Sequence, residues 1–157
     1  MDIETISKLV NKYLEENKLD DYFLIDVKIN NKKIEVFIDS DGQVSFETCR
    51  KVSRHLEEVL DESKWFGESY ILEVSSAGVG KPLRFPRQYV KNLGRKITIK
   101  SIDGEKFSGI LTLADEKAIE IEWEEKVKEG KKKKVIKMKK TFLYPDLKEA
   151  KINISFN

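Results

Sequence analysis

Apolar residues recur at helical spacing from the start of the chain. Ile6, Leu9, Val10, Tyr13 and Leu14 define one face of an amphipathic helix, with Asp2 placed as its N-cap and an end near Asn17. From Tyr22 the period shortens to two. Ile25, Val27 and Ile29 fall on one face, Asn30-Asn31 turns the chain, and Ile34, Val36 and Ile38 alternate on the way back, which predicts a β-hairpin. Asp39-Ser40-Asp41-Gly42 breaks that pattern. Ser45 can then cap a second helix, whose apolar stripe is Phe46, Cys49, Val52, Leu56, Val59 and Leu60. A third strand runs from Tyr70 to Ser75. Each helix has a single apolar stripe to bury, so the order helix, strand, strand, helix, strand implies a two-layer α+β domain over residues 1–80, with both helices on one face of the sheet.

Beyond a basic stretch read as a linker over residues 81–94, the pattern is almost entirely strand-like. Ile97 and Ile99 open it, Asp103-Gly104 supplies a hairpin turn, and Phe107, Gly109, Leu111 and Leu113 lead to Ile119, Ile121 and Trp123. A loop is expected from Glu124 to Lys134. Val135, Ile136 and Met138 follow, then a short Phe142-Leu143-Tyr144-Pro145 segment and a last strand through Ala150, Ile152, Ile154 and Phe156. Five short strands at this spacing suggest that residues 95–157 form a small closed barrel of the SH3 or Sm-like kind.

Composition narrows the class without changing this outline. The 157 residues fit two small domains, and 37% charged residues with no long apolar window exclude a membrane-spanning helix. The first ten residues lack the basic-then-apolar order of a secretory signal, and the single cysteine, Cys49, can form no internal disulfide, so a reducing cytoplasm is the expected address. The net charge of +2 conceals a sharp division. Residues 1–80 carry 10 Lys/Arg against 17 Asp/Glu, whereas residues 81–157 carry 20 against 11. The basic half is therefore the candidate for a phosphate-rich partner.

Few residues form a catalytic constellation. Cys49 and His55 lie six positions apart on one helix and point about 240° apart at roughly 100° per residue, with no third group to orient the imidazole. Asp39-x-Asp41-Gly42 lacks two key calcium-loop ligands, since Phe37 and Thr48 would occupy those positions, and it reads better as a strand-to-helix turn. Gly78-Val79-Gly80-Lys81 has Ser75 and Pro82 where a phosphate loop needs Gly and Ser or Thr. It is expected instead to be an interdomain turn formed by Ser75, Ser76, Gly78, Gly80 and Pro82, with the serines hydrogen-bonding it locally and Pro82 setting the exit direction.

The basic residues carry the functional weight. Lys81, Arg84, Arg87, Lys91, Arg95, Lys96 and Lys100 are interleaved with Phe85 and Tyr89 and with no acid, in a segment expected to lie in an interdomain groove. Charge runs are commonly solvated faces. Here cations that neutralise phosphates alternate with rings that can stack on unpaired bases, which points to nucleic acid. A second cluster, Lys131, Lys132, Lys133 and Lys134 with Lys137, Lys139 and Lys140, adds Lys131 to Lys134 to the RNA-binding candidates; Glu120, Glu122, Glu124 and Glu125 precede it, so its plain reading is a hairpin with opposite charges paired across strands. No cofactor or metal is implied.

Ser75-Ser76-Ala77-Gly78-Val79-Gly80-Lys81-Pro82-Leu83, after a strand closing on Glu73-Val74, resembles the ribosome maturation factor RimP family, whose pattern is roughly S-S-P-G-[LI]-D-R-P-L. The chain departs from it at Ala77, Val79, Gly80 and Lys81. The likeness extends to Asp39, Gly42, Val44, Cys49, Val52, Ser53, Leu56, Leu60 and Asp61 in the first half. In the second half it extends to Phe107, Gly109, Leu111 and the closing Ala150-x-Ile152-x-Ile154-x-Phe156. The resemblance implies a non-enzymatic assembly factor that binds the free, immature 30S subunit, near 16S rRNA and the ribosomal protein at the decoding centre, and acts as a monomer. Two rival readings are a general Sm-like RNA-binding module outside ribosome assembly and an enzyme built from dispersed acids such as Asp39 and Asp41.

Overall fold

A computed structural model describes residues 2–77 and 81–153. The chain divides into two compact units between residues 78 and 79. Gly78, Val79 and Gly80 of the expected turn, and Ile154 and Phe156 of the expected last strand, lie outside the described residues.

In the first unit, α1 (Ile3–Glu16) begins where the sequence placed its cap: the Asp2 carboxylate accepts a hydrogen bond from the Thr5 amide at 2.8 Å. Ile6, Val10 and Leu14, one turn apart, are its buried face. The hairpin follows as β1 (Tyr22–Asn30) and β2 (Lys33–Ser40), with Asn31 at φ 56° in the turn. Next, α2 (Phe46–Ser63) starts at Ser45, whose Oγ accepts from the Thr48 amide at 3.1 Å. The chain returns through β3 (Ile71–Ser76), which lies parallel to β2 and completes a sheet of order β1-β2-β3. Val27, Ile34, Val36 and Ile38 meet Ile6, Val10 and Leu14 of α1 and Cys49, Val52, Leu56 and Leu60 of α2 in one core. Both helices thus cover the same sheet face.

Two expected positions differ. The β1–β2 register shifts between Leu24 and Asp26, so the extra residue is Ile25. A bulge flips the alternation: Leu24 packs on the helix-facing core, while Ile25 joins Phe23, Phe37 and Ala77 in a separate small cluster. Phe46, counted in the stripe of the second helix, is 78% exposed at its first position, where it lies under Arg50 at 5.9 Å.

The second unit starts with a helix where a linker was expected, α3 (Pro86–Lys91), with Pro at its first turn. Five strands follow: β4 (Lys96–Ser101), β5 (Lys106–Ala114), β6 (Ala118–Glu129), β7 (Lys132–Leu143) and β8 (Leu147–Ile152). A single 3-10 turn, Tyr144–Asp146, links the last two. All pairings in this sheet are antiparallel, and the order is β7-β6-β5-β4-β8. Closure into a barrel would require β7 to pair with β8, and among the described residues that pairing is absent. Ile97, Ile99, Leu111, Ile119, Ile121, Phe142, Ala150 and Ile152 fill the core.

The stretch from Glu124 to Lys134 is not a loop. Cross-strand partners run unbroken from Ala118 with Leu143 to Glu129 with Lys132, and only Gly130 and Lys131 make the turn, with Gly130 at φ 61°. Charge density hid these strands from a pattern that looks for alternating apolar residues. Beyond Trp123 and Met138 nearly every residue of β6 and β7 is exposed, so the hairpin continues outward as a two-stranded ribbon past the core that anchors its base.

Candidate nucleic-acid interface

The basic segment takes its shape from two buried polar side chains. The Gln88 Oε1 accepts hydrogen bonds from the Arg84 amide at 2.7 Å and the Phe85 amide at 2.9 Å, satisfying donors that precede α3. The Asn92 side-chain amide donates to the Gln88 carbonyl at 2.7 Å at the other end. Leu83 donates its amide to the Ala150 carbonyl at 2.7 Å, and Pro82 bridges to Lys151, so β8 holds the strand leading into the helix. The cations therefore project from a fixed backbone. Arg87 and Lys91, four residues apart, share one side of α3. Lys81, Arg84, Lys91, Arg95 and Lys96 are exposed, and Arg87 and Lys100 are half-buried. Lys81, Arg84, Arg87 and Lys91 all make contacts within the chain.

The two interleaved rings part company. Phe85 stays exposed, with the Arg84 guanidinium 6.0 Å from its centroid. Tyr89, expected to stack on a base, is only 4% exposed and packs edge-on against Tyr144 in the core of the second unit. Burial pushes its hydroxyl well above the ordinary tyrosine range. It anchors α3 to the sheet, and in this position its ring presents no open face on which a base could stack. Of the expected turn, Ser75 and Ser76 belong to β3, paired with Phe37 and Ile38. Gly78 and Gly80 lie outside the described residues.

The second lysine cluster is sorted by strand register, which the linear sequence conceals. Lys139 sits between Glu120 and Glu122 at 3.4 and 3.2 Å, and the two carboxylates raise its ammonium pKa. Lys140 lies over the Phe107 and Phe142 rings at 4.6 and 5.4 Å. Lys134 reaches Glu129 at 3.9 Å, Lys132 stands opposite Glu129, and Lys137 opposite Glu124. Lys133 instead stands opposite Lys128. Opposite charges thus pair along much of the hairpin, but not where Lys128 and Lys133 face each other near its tip. Lys126 and Lys128, which pattern reasoning passed over, could have been found only by fixing the register from the two-residue turn.

The other candidate constellations stay apart. Cys49 is buried on α2, and burial pushes its thiol up, away from the reactive thiolate. The His55 ring stacks on Tyr13 at 4.8 Å. Asp39 is buried and accepts a hydrogen bond from the Ser40 amide at 2.8 Å, while Asp41 is exposed. Among the described residues no group of three possible ligands could hold a metal ion, and no helix is long and apolar enough to cross a membrane.

Fold and surface together define a class: a two-unit α+β protein whose second, antiparallel unit carries a rigid basic segment and a lysine-rich ribbon. Residues 9–80 match the RimP N-terminal domain model. The chain is 38% identical over 156 residues to the ribosome maturation factor RimP of Christiangramia forsetii, covering 98% of both chains. It is 35% identical over 151 residues to that of Flavobacterium psychrophilum, covering 92% of this chain and 96% of the relative. The chain belongs to the RimP family.

Proposed function

We propose that this protein is a non-enzymatic ribosome maturation factor that binds the free, immature 30S subunit in the cytoplasm, through 16S rRNA and a ribosomal protein at the decoding centre. The observation that carries the reading is the acid-free basic run from Lys81 to Lys100, fixed on α3 and the start of β4. It occurs in a chain that aligns nearly end to end with relatives named as ribosome maturation factors. Cations held on a rigid backbone suit the irregular phosphate surface of folded rRNA, because less side-chain and loop freedom is given up on binding. On this reading the factor acts as a monomer and favours one arrangement of the immature particle by its difference in affinity for the two states. An SH3 or Sm-like closure of the five-stranded sheet belongs to the same proposal, supported by its strand number, its antiparallel pairing and the pairing of its first strand, β4, with its last, β8.

Gradient sedimentation tests it. The full chain is expected to travel with free small subunits and not with complete ribosomes, and cells lacking it to accumulate unprocessed 16S rRNA. Reversing Arg84, Arg87 and Lys91 to Glu is expected to weaken subunit binding and to flatten its log-log salt dependence by roughly 0.7 to 0.9 for each phosphate no longer neutralised. Because these side chains also make contacts within the chain, the melting curve of the variant accompanies the binding curve. Unchanged affinity and slope would remove the segment from the interface, and normal subunit profiles without the protein would overturn the assignment.

A further inference from the structure

The β6–β7 ribbon has two unequal faces. Side chains opposite one another on paired strands share a face, so Trp123, Glu125, Val127 and Glu129 lie with Met138, Ile136, Lys134 and Lys132. That face is balanced: two lysines meet two glutamates, and the Trp123 indole N–H donates to Glu125 at 3.1 Å. The other face changes character along its length. Near the core, Glu120, Glu122 and Glu124 stand opposite Thr141, Lys139 and Lys137. Toward the tip it holds Lys126 opposite Val135 and Lys128 opposite Lys133, with no acid among them. All four side chains are exposed, and none of these three lysines takes part in an ion pair among the described residues.

Like charges set directly opposite on an isolated two-stranded ribbon work against its folding, and such ribbons are marginal in water to begin with. We infer that the tip face bearing Lys126, Lys128 and Lys133 is a docking surface for the phosphate backbone of double-helical RNA, separate from the segment at residues 81–100. The inference rests on the maturation-factor reading only in taking RNA as the polyanion. The chemistry of the face selects the form of RNA. It carries no aromatic ring on which an unpaired base can stack, which single-strand recognition requires, whereas duplex RNA is bound through its backbone and shape. Nor does it offer the aromatic core of a protein interface, since Val135 is its one apolar residue. A duplex places closely spaced phosphates against all three ammonium groups and relieves their mutual repulsion.

The test uses the full chain and a blunt 20-base-pair RNA duplex, with binding followed by fluorescence anisotropy between 50 and 200 mM KCl. The substitution Lys126→Gln with Lys128→Gln and Lys133→Gln is expected to lower affinity by roughly tenfold or more and to reduce the log-log salt slope by about 2 to 3, near 0.9 for each ammonium–phosphate pair removed. Lys132→Gln with Lys134→Gln removes two charges from the balanced face and is expected to leave the slope nearly unchanged. The inference is overturned if the first variant binds with the parent's affinity and slope, an outcome that would leave an acidic protein as the ribbon's partner. It is also overturned if the second variant loses as much as the first. Single Lys133→Gln serves if the triple variant fails to fold. A chain that binds the duplex through its ribbon yet ignores small subunits would refute the proposed function while sustaining this surface.

Discussion

Gly109 is the position where one added methyl group has the most calculable effect. It lies on β5 opposite Ile97, and its backbone does not need the left-handed region. What it needs is space. A Cβ there would stand 2.5 Å from the Glu122 carbonyl oxygen and 3.1 Å from its carbon, both backbone atoms of the neighbouring strand β6. Ordinary contact begins near 3.4 Å, so Gly109→Ala forces β6 to retreat by about 0.9 Å where it leaves the core toward the ribbon. Overpacking against atoms that cannot rotate away costs about 1–3 kcal/mol, and the stiffer unfolded chain of Ala returns about 0.4–1 kcal/mol. The net loss, about 1.3 kcal/mol at mid-range and at most about 2.6 kcal/mol, would lower the melting temperature of a unit this size by about 4–8 °C per kcal/mol. Trp123, packed against Phe107 at 6.0 Å, reports on that unit in a Trp65→Phe background, because Trp65 belongs to the first. Gly42→Ala, in the first unit and followed through Trp65 in a Trp123→Phe background, is the control: beyond its chain neighbours no heavy atom lies within 4 Å of its Cβ position, so the same substitution should be neutral or stabilising. A Gly109→Ala protein as stable as the parent would refute the argument that close strand approach selects this glycine.

Lys133→Glu places a carboxylate opposite Lys128 and is expected to raise stability by roughly 0.2–1 kcal/mol while weakening duplex-RNA binding; thermal melting paired with anisotropy checks both signs. Two tyrosines give an alkaline signature. The Tyr70 hydroxyl, desolvated and donating to Asp61 at 2.7 Å, and the Tyr144 hydroxyl, desolvated and donating to the Asp115 carbonyl, both have pKa values pushed up to about 12. A proton held more tightly in the folded state stabilises it below the unfolded value near 10, and that contribution is lost as pH rises toward 12. Absorbance titration at the phenolate band should show late-titrating tyrosines, and Tyr70→Phe should soften the fall in stability over that window. Ordinary titration of every tyrosine near 10 would contradict the desolvation of both hydroxyls and the Tyr70–Asp61 hydrogen bond.

The sequence by itself determined what depends on short-range periodicity and on composition. The order of elements in the first unit, both of its N-caps, the parting of acidic from basic halves and the strand-rich character of the second unit follow from residue spacing and composition, because burying one stripe per helix or strand leaves few arrangements; the charged outer half of the β6–β7 hairpin does not. Family membership was legible in the Ser75 to Leu83 motif and its neighbours. The tertiary structure decided wherever register or packing picks among side chains that look alike in a line. The bulge at Ile25 sent one of three matching isoleucine and valine positions to another cluster. Tyr89 and Phe85 are equivalent as a pattern, yet only the packing of α3 on the sheet shows that one is core and the other surface. The lysines of the ribbon are the clearest case. A run of like residues carries no periodicity, so only the pairing of β6 with β7 separates those answered by glutamate from Lys126, Lys128 and Lys133, which are answered by none among the described residues.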